Sequence, residues 1–346
     1  MSKFKPTIED VGRAAGVSRA TASRVINNAP GVAAPLRARV EAAIASLGYR
    51  PDEHARALAS GRTRAVDVVA ISCPDAGWLG NHPYFGRVLA GMVPVLDGVN
   101  TQLRLHAIGR GQAADAIDEI AANATLGAVL ADVPPDLAAR FHRRCRRVVS
   151  MVPTSPVVPG MAADNVGGAY AAIEELHRLG CRRIAAVHGP ILNPCATERR
   201  TGHRQAIERF GLAELSADED FNRHGGYRAT QRLLDRHPDI DGIFVACDLM
   251  AAGAIQAITA SGRRVPDDVS VIGFDDSIVA SCTNPPLTTM GLPVEEMAAA
   301  ATRLLLDGVP PSGLRMRFPV KLVRRDSTRR AAGSAPAEPS NGPMNC

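Results

Sequence analysis

The sequence predicts two dissimilar parts: an N-terminal all-α helix-turn-helix headpiece and, behind a short hinge, an α/β body built on parallel sheets. Three observations carry this. Two short amphipathic segments meet at a glycine within residues 7–26. The positive charge of the chain is gathered in its first 64 residues. From about residue 66 to residue 323, apolar runs of strand length alternate with helical stretches.

In the headpiece, Thr7-Ile8-Glu9-Asp10 opens the first helix, with Thr7 as cap and Asp10 three residues on completing a capping-box pattern. Ile8, Val11, Ala14 and Ala15 then recur at helical spacing. Gly16 permits a tight turn, and Ser18 is placed to cap a second helix with Ala22, Val25 and Ile26 on one face. The opposite face shows Arg19, Thr21, Ser23 and Arg24. Two short helices about a glycine turn, the second lined with guanidinium and hydroxyl groups, form a helix-turn-helix whose second helix can enter a major groove. There arginine reads guanine and small hydroxyls bind phosphate. Leu36, Val40, Ala43, Ile44 and Leu47 make a third stripe that would close a three-helix core, ended by Gly48.

Charge agrees. Up to Arg64 there are eleven basic and five acidic residues, a net of +6, whereas the whole chain carries +5. The body is therefore close to neutral, and the positive excess sits where phosphate neutralisation would need it. A solvated basic face would give the same count; the helix spacing is what distinguishes the two readings.

At 346 residues the chain exceeds one typical domain. Apolar runs expected as strands are residues 66–71, 103–108, 128–131, 147–150, 184–187, 242–245, 269–273 and 287–290. Stretches such as 85–98, 166–179, 197–210 and 249–260 show helical periodicity. Such alternation argues for parallel sheets covered by helices, with ligands beyond the carboxyl ends of the strands. No apolar run approaches a membrane span, and "MSKFKPTIED" has no apolar leader. Seven scattered cysteines offer neither a disulfide framework nor metal spacing, so a reduced, cytoplasmic protein without membrane contact is expected. The Asp275-Asp276 pair lacks a third ligand, so no metal is expected. No nucleophile elbow, P-loop or dinucleotide fingerprint points to an enzyme or a cofactor.

Residues 7–62, "TIEDVGRAAGVSRATASRVINNAPGV" and "LRARVEAAIASLGYRPDEHARALASGRTR", resemble the headpiece of the lactose-repressor (LacI/GalR) family. "ADNVGGAYAAIEELHRLGCRRIAAVHGP", "FVACDLMAAGAIQAI" and "RVPDDVSVIGFDDSIVASCTNPPLTTM" extend the resemblance to about Thr328. It implies a transcriptional regulator, in its usual form a repressor, that binds a palindromic double-stranded DNA operator as a homodimer. It also implies a periplasmic-binding-protein-like body of two lobes joined by three crossovers, near residues 161–164, 290–293 and 318–322. A small-molecule effector, carbohydrate-like in most members, would sit between the lobes. The organisation expected is a headpiece at 1–50, a hinge at 51–64, a body at 65–326 and a disordered tail at 327–346. The tail carries no heptad repeat for tetramerisation. A solute-binding protein on the same body is the competing class, and the headpiece in place of a leader speaks against it.

Carried over residue by residue, the resemblance places Thr7, Ser18, Arg19, Ala20, Thr21, Ser23, Arg24, Asn27 and Tyr49 at DNA. Arg19 and Ala20 would face bases. Residues 53–60 would be a hinge helix, too short to hold by itself in water. Leu58 would wedge into a base step, with Ala55 on the same face. Where relatives have a Ser or Thr cap on the third helix this chain has Ala33, which Pro35 in the first turn partly offsets. For the effector the resemblance points to Arg199 in "ERRTG" and Asp275 after "VSVIGF"; Asp248 is expected to cap the helix after the strand "IFVAC". Cys247 stands where the family normally has an effector-binding Asn. In the first lobe Trp78, His82 and Tyr84 border the cleft, and Phe85 is expected to pack the helix. His188 lies at a strand end, and Cys195 is a candidate redox thiol.

Overall fold

The computed structural model describes residues 6–26, 31–49, 64–72, 82–99 and 101–329. It divides into two compact units, Met1–Arg64 and Ala65–Cys346.

The first unit holds helices α1 (Ile8–Ala15), α2 (Arg19–Ile26) and α3 (Ala34–Leu47). Thr7 and Asp10 form the expected capping box on α1. Ser18 Oγ accepts from the Thr21 amide at 3.1 Å and so caps α2. Ala33 makes no side-chain cap on α3, which begins with Pro35 in its first turn. Val11, Ala15, Ala22, Val25, Val40 and Ala43 interlock as the core, with Ile44 and Leu47 half-buried around it. Gly16 is left-handed at φ 63° and ends α1. There Arg39 of α3 donates to the Ala15 carbonyl at 2.6 Å and to the Gly16 carbonyl at 3.3 Å, satisfying carbonyls that a helix end leaves bare.

The second unit has two six-stranded sheets. The first comprises β1 (Ala65–Ser72), β2 (Gln102–Gly109), β3 (Gly127–Leu130), β4 (Val148–Ser150), β5 (Gly160–Ala163) and β11 (Arg315–Phe318). Its order is β11-β5-β4-β3-β1-β2, all parallel. Helices α4 (Pro83–Leu96), α5 (Ala113–Asn123), α6 (Pro135–Arg144) and α12 (Val294–Asp307) cover it. The two-residue period of a strand sorts β1 between two cores. Val66, Val68 and Ala70 join Phe85, Val88 and Met92 of α4 and Met297 of α12, whereas Val69 and Ile71 join Ile117 of α5 and Phe141 of α6.

The second sheet comprises β6 (Ile184–His188), β7 (Leu215–Asp218), β8 (Gly242–Val245), β9 (Ser270–Asp275), β10 (Thr288–Gly291) and β12 (Lys321–Val323), ordered β12-β10-β9-β8-β6-β7. Only β12 runs antiparallel. Helices α7 (Asn165–Arg178), α8 (Pro194–Phe210), α9 (Arg223–Arg236), α10 (Asp248–Ala260) and the short α11 (Ile278–Cys282) belong to this lobe. The chain passes between lobes after β5, after β10 and between β11 and β12, where the three crossovers were expected. One apolar cluster runs through both lobes, from Val66 and Met92 to Phe244 and Phe274.

All eight expected strands form, with ends within two residues of those expected. Four were missed: β5, β7, β11 and β12. They are three or four residues long, and β7, β11 and β12 lie at sheet edges, so none makes a long apolar run. The expected tail boundary is also corrected. Ser327 is buried, its Oγ donates to the Val271 carbonyl at 2.6 Å, and it accepts from the Thr288 amide at 2.8 Å. Arg329 donates to the Asp268 carbonyl at 3.0 Å, so packed structure continues through it; residues 330–346 lie outside the described residues. Among the described residues no helix is long and apolar enough to cross a membrane.

Candidate functional sites: a recognition helix and an interlobe cleft

In the first unit, burying Ala22 and Val25 turns the other face of α2 outward, so Ser18, Arg19, Ala20 and Arg24 are exposed and Thr21 and Ser23 partly so. Arg19 lies 3.4 Å from Glu9, both side chains well exposed, so solvent and salt screen the pair and leave the guanidinium available. Gly12 lets α1 approach the turn: a Cβ there would come within 3.1 Å of the Val17 carbonyl. The Thr7 hydroxyl is engaged at its own helix start, donating to Asp10 Oδ2 at 2.7 Å. These hydrogen bonds from Thr7 hold the Asp10 carboxyl below its ordinary value. Tyr49 is half-buried against the headpiece core, which sets it apart from the exposed α2 face. Asn27, Ala55, Leu58 and the hinge lie outside the described residues. Arg39, one of the eleven basic residues counted for phosphate contact, is spent on capping α1.

The second site is a cleft between the lobes of the body, about 760 Å³ counting its open mouth, at the carboxyl ends of the parallel strands. His82 and Tyr84 enter it from the start of α4, Asp132 follows β3, Met151 follows β4 and Met161 lies within β5. The second lobe supplies Asn193, Cys195 and Arg199 around the start of α8, Phe221, Cys247 and Asp275. Arg199, Cys247, Asp275, His82 and Tyr84 are thus brought together as expected; Trp78 lies outside the described residues.

Arg199 is no surface arginine. It is 4% exposed, donates from Nε to Asn165 Oδ1 at 2.9 Å and from Nη1 to the Ala246 carbonyl, and lies over the Phe274 ring at 3.7 Å. Glu198 orients the amide, accepting from Asn165 Nδ2 at 2.8 Å. Asp275 Oδ1 is 3.4 Å from Arg199 Nη2. Burial raises the Asp275 carboxyl above its ordinary value, with Arg199 opposing. Its backbone is left-handed at φ 115°, and Asp276 follows at φ 54°. A non-glycine residue held there stores roughly 1–3 kcal/mol, a pattern found at ligand sites. Asp276 turns to Arg325, which donates to its Oδ1 at 2.7 Å, so the two adjacent carboxylates have separate partners.

The role expected of Asp248 needs correction. The cap of α10 is Cys247, whose Sγ accepts from the Met250 amide at 3.5 Å. Asp248 is fully buried and instead accepts from the Ser277 amide at 2.7 Å and from Thr289 Oγ1 at 2.6 Å, tying the Asp275 turn to β10. Burial and then Asp275 push its carboxyl up to about 7.

His82 accepts at Nδ1 from the Tyr84 amide, capping α4 at 3.3 Å while facing the cleft. Burial, helped by Arg199, lowers it to about 4, so it is neutral at pH 7. Phe85 packs in the core as expected. Burial pushes the Cys195 thiol up to about 12, which leaves no thiolate for a redox role. His188 does not reach the cleft. It is fully buried with its ring 5.0 Å from that of His203, one turn beyond Arg199 on α8.

Sequence reading missed Asp132, Asn165, Asn193, Phe221 and the methionines Met151, Met161 and Met297. Asn193 is visible in retrospect: it precedes Pro194 and caps α8 through Oδ1. Its Nδ2 also reaches across the cleft to Asp132 Oδ1 at 3.4 Å.

Comparison with known proteins matches each of the two units to a described domain. Residues 7–52 match the family described as bacterial regulatory proteins, lacI family, and residues 173–328 match a periplasmic binding protein-like domain. The HTH-type transcriptional regulator CelR of Thermobifida fusca is 35% identical, covering 93% of this chain and 98% of that protein. GalR of Escherichia coli K12 is 32% identical over 93% and 95%. Among solved structures, a CelR–cellobiose complex superposes with a TM-score of 0.69 at 32% identity, over 93% of this chain and 100% of that one. A lac repressor dimer bound to operator and the anti-inducer ONPF gives 0.69 at 28%, over 94% and 99%.

Proposed function

The chain belongs to the lacI family of bacterial regulatory proteins, and on that premise we propose that it is a sequence-specific transcriptional repressor switched by a carbohydrate-like effector in the cleft. A homodimer would present two copies of α2 to the inverted halves of an operator. Arg19 and Ala20 face base edges in this reading, and Ser18, Thr21 and Ser23 hold backbone phosphates.

The observation that carries the effector reading is the Arg199–Asp275 pair on the cleft wall, Arg199 buried and Asp275 partly so, one a donor and one an acceptor. Its charges offset each other, which suits the hydroxyls of an uncharged ring; Met151, Met161, Leu292 and Phe221 offer an apolar surface to the ring's C–H face. Cys247 in place of the family's Asn removes a two-way amide, so the hydroxyl contacts differ from those of relatives that keep it. An effector shifts operator binding only if it prefers one lobe arrangement. Because Tyr84 and Asp275 come from different lobes, a ligand touching both would change closure. That change would pass to residues 51–64.

The test is twofold. Gel shift with the DNA upstream of the chain's own gene should reveal a near-palindromic site. A thermal-shift series with cellobiose, glucose, galactose, ribose and cytidine should give one compound that adds about 2.7 kcal/mol at 100 Kd and releases the operator. Arg199→Lys and Asp275→Asn should abolish that shift. These replacements are preferred to alanine because Arg199 is buried and bonded and Asp275 is paired with it, so truncation would strand their partners. Absence of both specific DNA binding and any ligand shift would overturn the reading.

A further inference from the structure

Asp275 is held from its backbone as well as through its carboxylate, and the holder belongs to the other lobe. Arg87 lies on α4, one turn beyond Tyr84, with its side chain 17% exposed. Its Nη1 donates to the Asp275 carbonyl at 2.6 Å and its Nη2 to the Leu292 carbonyl at 2.8 Å. Glu295, in the first turn of α12, grips the same guanidinium in a two-point pair, accepting from Nε at 2.6 Å and from Nη2 at 2.7 Å. All three nitrogens are therefore used, and the planar fork fixes direction as well as distance. The Asp275 carbonyl also accepts from the Leu292 amide at 3.1 Å. Close packing fixes the frame: at Gly91 of α4 a Cβ would come within 2.2 Å of the Glu295 carbonyl. Burial works against the charge of Arg87, but hydrogen bonding and attraction from Glu295 outweigh it and raise its pKa.

We infer that Arg87 is the positioning residue of the cleft: it fastens the left-handed Asp275 turn of the second lobe to α4 of the first, so that what binds Asp275 is felt by the helix bearing Tyr84. The inference rests on the reading of the cleft as the effector site. Asp275 sits at φ 115°, a conformation that persists only when its surroundings over-determine it. Asp248 and Arg325 secure the residues that follow within the second lobe, through Ser277 and Asp276. Arg87 joins that turn to the first lobe.

The test uses full-length protein and hydrogen exchange across 275–277 and 288–293, where the amides of Asp276, Ser277 and Leu292 are hydrogen-bonded. Arg87→Met should speed exchange in these segments at least tenfold and leave the sheets protected. Arg87→Lys, which can still reach a carbonyl, should recover part of the protection. Glu295→Gln should give a graded version should Arg87→Met fail to fold. With cellobiose as probe, Arg87→Met should move the operator-release midpoint at least tenfold. Unchanged exchange at 275–277 and at Leu292 overturns the inference, and so does acceleration spread over the whole body, which marks a scaffold role. Should cellobiose and the other compounds leave the wild type unmoved, the exchange result still decides Arg87, and the effector reading alone fails.

Discussion

Burial of His188 and His203 should make the body acid-labile. Both are fully buried, their rings meet edge to face, and none of the four ring nitrogens has a hydrogen-bonding partner among the described residues. Burial, then each other and Arg200, lowers His188 to about 3; burial and Arg200 lower His203 to about 4. The folded state thus keeps both neutral while the unfolded chain takes up protons below about pH 6.5. Stability contributed by the neutral rings is complete above that value and is lost as pH falls toward the folded values. Between pH 7 and pH 5 each ring should cost about 2 kcal/mol, at about 1.4 kcal/mol per pKa unit, or roughly 4 for the pair. Asp248 acts in the opposite sense over the same interval, because its raised carboxyl takes up a proton in the folded state first. The measurement must therefore be a difference. Denaturant unfolding of wild type, His203→Phe and the double His188→Phe/His203→Phe variant at pH 7 and pH 5 should show the pH-dependent loss reduced by about 2 and about 4 kcal/mol. Equal losses in all three proteins would mean that the native rings take up protons at ordinary pH, and the reasoning would fail.

Three other outcomes are expected. Arg19→Ala should cost about 1–3 kcal/mol on the cognate operator and relax the preference at one base pair, read by competition with single-base variants; unchanged affinity and preference would reject the assignment. Arg39→Met should lower headpiece stability by about 1–2 kcal/mol through the lost bonds to Ala15 and Gly16. It should leave the salt dependence of DNA binding as it was, whereas loss of a phosphate contact would flatten the slope by about 0.9. Leu58→Ala should weaken operator binding far more than binding to random DNA, because only a kinked site uses a wedge; equal losses would leave residues 51–64 as a plain tether.

Much of this molecule can be read along the chain because its signals are local. Capping at Thr7 and Ser18, the turns at Gly16 and Gly48, and the apolar stripes of the headpiece depend on neighbours within one or two turns. The alternation of strand and helix follows from periodicities of 2 and 3.6 that any window of the sequence displays. Asp275 can be placed at the cleft because parallel strands present their carboxyl ends together, whereas Arg199, on a helix, is legible only through the family resemblance. What could not be read depends on residues far apart in sequence. Arg39 counts as a phosphate-facing charge until α3 lies across the end of α1. Asp248 reads as a helix cap until Ser277 and Thr289 arrive from 29 and 41 residues away. Ser327 begins a stretch of tail-like composition, yet Val271 and Thr288 claim its hydroxyl. Arg87 bonds to Asp275, Leu292 and Glu295 across about 200 residues of chain. Composition and period carry no record of such pairings, because a buried hydrogen bond is specified by where two elements dock and not by the residues beside it.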